Sequence, residues 1–161
     1  MNMKYTAAQL TGLVLLRIIV GWHLLYEGLS KLIDPYWTSA GYLSESKWIF
    51  ASLLRSLARN PHVLAGVDFV NIWSLIIIGT FLIAGLFTRV VSYSGMILLL
   101  LYYIAYPPLV GIESPFAAGG RHLLINWTII EAAALFVLAL FPTGGMIGVD
   151  RLIFRHGRPS E

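Results

Sequence analysis

Within the apolar stretch GWHLLYEGLSKL, Gly21 to Leu32, a histidine, a glutamate and a lysine recur at four-residue spacing: His23, Glu27 and Lys31. Arg17 precedes them on the same stretch. At 100° per residue these four side chains fall within about 120° of one helix and share a face. A charged side chain at the centre of a bilayer costs about 2.5–3.5 kcal/mol on insertion scales, so such a face meets a partner or a cavity rather than lipid. A later apolar stretch carries Arg121, His122, Asn126 and Glu131, and Asp68 and Asn71 stand near the start of another. An imidazole beside a carboxylate can donate to a carbonyl oxygen and pass a proton, which casts His23 as donor and Glu27 as its orienting or relay partner. His122, Asn126, Asp68 and Asn71 would hold the other side of a polar head group. Lys31 and Arg121 would form a cationic rim able to attract an anion. Each of those two also lies near a helix end, where a long cationic side chain simply reaches for water. Arg17 and Glu131 read as a structural ion pair between helices.

The elements that must position these residues follow from hydropathy. Spanning about 30 Å of hydrocarbon takes about 20 helical residues. Four segments meet this, at about 8–33, 64–87, 90–106 and 122–141, ended by Asp34-Pro35, Phe87-Thr88, Pro107-Pro108 and Pro142. Only Thr88-Arg89 separates the second from the third, which predicts a tight antiparallel hairpin. The connection from Asp34 to His62 contains an amphipathic helix at about 45–59, with Trp48, Ile49, Leu53, Leu54 and Leu57 on one side and Lys47, Arg55 and Arg59 on the other. It lies in the interface or packs on the spanning helices. The fold class expected is thus all-α: a polytopic membrane protein, an antiparallel four-helix bundle with an additional amphipathic helix in the first outer loop, forming one domain over residues 1–161. Counting 1.5 Å per residue from the helix ends puts Arg17 and Glu131 about 14 and 15 Å deep, His23 and Asn126 both near 22 Å, and Glu27 and His122 near 28 Å. Matching depths make the first and fourth spans neighbours.

Composition narrows the function classes. Of 161 residues 58% are hydrophobic and 12% charged, half the charged share of a soluble domain. The net charge of +3 forms no dense basic stripe, which argues against nucleic acid as a partner. The absence of cysteine excludes disulfides, thiol redox chemistry and thiolate metal sites, and no metal is expected. The first apolar run is too long for a cleaved signal peptide and lacks its small-residue cleavage signal. Lys4, Arg89, Arg151, Arg155 and Arg158 fall on the side of the termini, which favours cytoplasmic termini in a multi-pass protein of a bacterial-type inner membrane.

The opening helix LLRIIVGWHLLYEGLSKLIDPYW resembles that of DoxX-like membrane proteins, with Arg17, Gly21, Gly28 and Lys31 in familiar places. IGTFLIAGLFTR, LLYYIAYPP and GGRHLLINWTIIEAAAL continue the likeness in order and spacing, over about residues 10 to 142. The pattern is most similar to the DoxD-type small subunit of thiosulfate:quinone oxidoreductase. That resemblance implies a four-helix membrane bundle working with a second redox subunit, or as a homo-oligomer, to pass electrons from thiosulfate or another sulfur compound to a membrane quinone. The quinone would enter as substrate or bound ligand. The residue pattern alone leaves two other readings open. One is a non-catalytic assembly subunit or small transporter, with the polar face as helix glue. The other is a haem b carrier ligated by His23 and His122, which their separation of about 6 Å in depth fits poorly.

Overall fold

The computed structural model describes residues 5–46, 50–105 and 125–154. Its regular elements are all helical: α1 (Ala7–Ile33), α2 (Ala40–Ser44), α3 (Ala51–Arg59), α4 (Pro61–Ala84), α5 (Thr88–Ala105), α6 (Trp127–Leu140) and α7 (Val149–Phe154). Among the described residues there is no strand. α1, α4 and α5 are long and apolar enough to cross a membrane; α6 is apolar but shorter, 14 residues.

Local chemistry sets the boundaries. The Thr6 hydroxyl accepts from Gln9 N at 3.2 Å while the Gln9 side chain accepts from Thr6 N at 3.0 Å, a reciprocal cap that starts α1. Asn60 ends α3 and caps α4, its side chain accepting from His62 N at 3.1 Å, with Pro61 as the first helical residue. α4 therefore begins three residues earlier than hydropathy indicated. It ends earlier too. Gly85 takes a left-handed conformation (φ 69°), with Leu86 N donating to Phe81 O and Gly85 N to Leu82 O. This pair of bonds stops a helix and favours glycine. The turn between the hairpin helices is thus Gly85–Phe87, and Thr88 and Arg89 already belong to α5.

α1 packs along α4, and α5 along α6; lesser contacts, α4 with α5 and α1 with α6, close the ring. α1 and α4 run antiparallel, since Gly21 meets Gly79 and Leu82 whereas Gly28 meets Leu75 and Ile76. They approach closely: a Cβ on Gly79 would come 2.6 Å from the Gly21 carbonyl oxygen. Leu24, Leu75, Leu82, Leu135 and Leu138 form the fully buried centre.

The connection from α1 to α4 differs from expectation. Glu45 closes α2 instead of opening a longer helix, and the second helix of this connection is α3, Ala51–Arg59, with no buried residue. Lys47, Trp48 and Ile49 lie outside the described residues, as do Lys4, 106–124 and 155–161.

Candidate functional site

The four long helices do not close completely. A cavity of about 160 Å³ lies between them, lined by His23, Leu24, Glu27 and Lys31 of α1, Leu75 of α4, Leu99 and Tyr102 of α5, and Trp127, Thr128 and Glu131 of α6. Its aliphatic floor is core; its polar wall holds two pairs. His23 Nδ1 donates to Glu131 Oε1 at 2.8 Å, joining α1 to α6. Lys31 Nζ lies 2.5 Å from Glu27 Oε2, one turn along α1, and 5.8 Å from the centre of the Trp37 ring. The His23 side chain is 54% exposed and that of Glu131 13%, so the pair runs from the cavity mouth to its interior.

A ring of contacts from α2, α4 and the segment after α1 braces one wall. Tyr102 donates its hydroxyl to Asn71 Oδ1 of α4. Tyr42 of α2 donates to the Tyr102 carbonyl at 2.7 Å and packs edge-on against its ring. Asp68 accepts from Thr38 Oγ1 at 2.8 Å, Ser39 N at 2.9 Å and Ser39 Oγ, fastening the segment after α1 to α4. A phenol held by three elements presents a fixed face to the cavity, as preorganised binding requires.

A second polar cluster sits at the other end of the bundle, by the chain termini. Arg17 is buried, 2% exposed, and donates from Nη1 to Thr143 Oγ1 at 2.9 Å. Its guanidinium lies over Gly85, with Gly148 beside it. Asp150 accepts from Phe87 N at 2.9 Å through Oδ1 and is near enough to act electrostatically on Arg17. The segment 143–150 thereby locks the α4–α5 turn onto α1.

The structure rearranges several of the sequence assignments. It brings His23, Glu27 and Lys31 to one cavity, but the expected ion pair of Arg17 with Glu131 does not form: Arg17 reaches Thr143, and Glu131 takes His23. The depth count assumed that α1 begins level with its neighbours. In fact Arg17 stands level with the end of α4, beside the α4–α5 turn. The orienting partner of His23 is accordingly Glu131 and not Glu27, which is occupied by Lys31. That occupation also removes Lys31 as a free cationic rim. Asn126 is the cap of α6, accepting from Ile129 N at 3.0 Å, and does not line the cavity. Asp68 braces the outer segment; Asn71 acts through Tyr102. Arg121 and His122 lie outside the described residues. Hydropathy gave no reason to select Tyr102, Trp127 or Thr128; an aromatic residue near a span end reads as an interfacial anchor. No group of three or more potential metal-binding side chains occurs among the described residues.

No curated protein and no solved structure matches the chain. A family model described as DoxX matches residues 12–106, which takes in α1 through α5.

Proposed function

The chain belongs to the DoxX family, and from that premise we propose that it is the integral membrane subunit of a quinone-linked oxidoreductase whose cavity receives the quinone head group. The supporting observation is the His23–Glu131 pair at the mouth of a half-open cavity with an aliphatic floor. A quinone is an apolar ring with two carbonyl acceptors; it needs an apolar slot, a fixed donor and a proton path. In this reading His23 carries both ring protons when it donates: Nδ1–H is held by Glu131 and Nε2–H donates to one carbonyl. Glu131 orients the ring and steadies its charge. The Glu27–Lys31 pair lies between this donor and the outer face, and Tyr102 walls the ring. Electrons come from a second redox subunit, and thiosulfate or another sulfur compound is the donor that a DoxD-type relationship implies. An anion gains no support from the cavity itself, because Lys31 is neutralised by Glu27.

The proposal includes the topology: α6 completes a bundle of four spans, the termini face the cytoplasm, and α3 lies in the outer interface with Leu53, Leu54 and Leu57 towards the acyl chains and Arg55 and Arg59 towards head groups. The chain has no cysteine of its own, so a single cysteine at Ser160 probes the orientation. Labelling of that cysteine by an impermeant reagent in intact cells contradicts cytoplasmic termini.

Quinone retained by the purified protein tests the site. An organic extract of the full chain should contain quinone in near-stoichiometric amount, and that of His23→Leu should contain little while the variant keeps its helical content. Equal quinone in both rules out His23 as the donor, and none in either rules out a resident quinone.

A further inference from the structure

The charges around the cavity do not cancel. Among the described residues its wall holds two carboxylates, Glu27 and Glu131, and one ammonium, Lys31. Lys31 is committed to Glu27 at 2.5 Å. Among the described residues Glu131 is paired with the imidazole of His23, and no lysine or arginine is bonded to it. It lies within a low-dielectric bundle, where water screens it little. On the same helix Trp127 and Thr128 line the cavity, and Trp127 is 66% exposed at its edge. A carboxylate, an indole and a phenol around an aliphatic floor are the elements that recognise an organic cation: the acid supplies charge, the ring faces supply cation–π attraction, and the floor takes an apolar substituent.

We propose that this cavity binds lipophilic organic cations, an ammonium centre carrying an aromatic or alkyl group, with Glu131 as the countercharge and Trp127 as the aromatic wall. The binding is an exchange of charge partners: the cationic centre takes the side of Glu131 that His23 leaves open, while His23 remains hydrogen-bonded on Oε1. The inference shares the cavity with the quinone reading but does not depend on redox chemistry. It makes the opposite demand on ligand charge from an anionic sulfur donor. The two carboxylates also set a direction for Lys31: its ammonium competes with the ligand for negative charge, so its removal should help a cation even though its bonds to Glu27 and its contact with the Trp37 ring are lost.

The test uses radiolabelled benzyltrimethylammonium with the purified full chain in nanodiscs, and neopentylbenzene, which has nearly the same shape without the charge, as competitor. Saturable binding is expected, with neopentylbenzene a poor competitor. Glu131→Gln should weaken it by about tenfold or more, the scale of one ion contact at reduced dielectric. Trp127→Ala should weaken it about threefold, within the range of cation–π contacts. Lys31→Ala should tighten it, an outcome that damage to the fold cannot produce; circular dichroism melting of each variant accompanies the binding. Absence of saturable binding to the parent chain, unchanged binding in Glu131→Gln, or weakening in both Glu131→Gln and Lys31→Ala overturns the proposal. Retained quinone, measured on the same preparation, is a separate readout: cation binding without quinone leaves this inference standing and removes the redox reading, and quinone without cation binding does the reverse.

Discussion

Two polar clusters interrupt the apolar bundle, and they are built in opposite ways. Around Arg17 everything is closed: the guanidinium is 2% exposed and Thr143 fully buried, and glycines leave room for the guanidinium and the turn. Around His23 the cluster is open, with a cavity beside it and an imidazole more than half exposed. Both clusters place ionisable groups where lipid would reject them. Only the open one leaves space for something else to arrive. The comparison teaches that an intramembrane charge is a functional signal only when the packing around it stays incomplete; where packing is complete, the same residue type holds helices together.

Substitutions can break this contrast, the largest effect falling at the closed cluster. Arg17→Leu leaves Thr143 without its donor and Asp150 without a neighbouring cation; losing one member of a buried charged cluster costs about 3–5 kcal/mol. Thermal or denaturant unfolding in detergent should register that loss, and quinone or cation binding measured below the melting temperature should survive it. Next comes the α1–α4 seam. Gly79→Val forces a side chain against the Gly21 carbonyl, where overpacking costs about 1–3 kcal/mol; the same unfolding assay measures it. A double-mutant cycle sharpens the contrast further. His23→Leu with Glu131→Leu should show coupling of about 0.5–3 kcal/mol, whereas Arg17→Leu with Glu131→Leu should add within about 0.5 kcal/mol, as separated sites do. Strong coupling in the second cycle would restore an ion pair that the structure does not contain. The smallest effect belongs to Tyr102→Phe, which strips Asn71 of one hydrogen bond worth about 0.5–1.5 kcal/mol. It should lower ligand affinity more visibly than stability, because the phenol positions the cavity wall.

The sequence revealed the helices more readily than their heights. Runs of apolar residues located α1, α4, α5 and most of α6, because the cost of burying charge in lipid acts on every residue of a span. Offsets between helices leave no such imprint. The height of α1 depends on how Gly85 ends α4 and how Thr143 and Asp150 fold back, contacts made across more than a hundred residues for Arg17 and Thr143. An error of that kind paired Glu131 with Arg17 instead of His23. The shared face of His23, Glu27 and Lys31 was legible, since helical spacing alone fixes it. Their partners were not. Whether Lys31 reaches for water or for Glu27 is decided by the Glu27 carboxylate one turn away and by the Trp37 ring, and Tyr102 became visible only through Asn71 and Tyr42. Asn126 illustrates the converse: an asparagine before an apolar run is also a helix cap, and in this chain it serves as one.

The unequal lengths of the helices have a consequence for the surrounding lipid. α1 and α4 contain 27 and 24 residues, and α6, capped at Asn126 and Phe141, only 14. At 1.5 Å per residue these are about 40 and 36 Å against about 21 Å. A hydrocarbon layer of about 30 Å is too thin for one side of the molecule and too thick for the other. A bilayer meets such a mismatch by tilting the protein or by changing its own thickness, at fractions of a kcal/mol per Å. The boundary between the long and the short side runs along the α1–α6 contact, where His23 and Glu131 stand. The acyl chains beside the cavity mouth are therefore the ones that must bend from one thickness to the other, and their elastic strain acts on the entrance through which a lipid-soluble ligand would come.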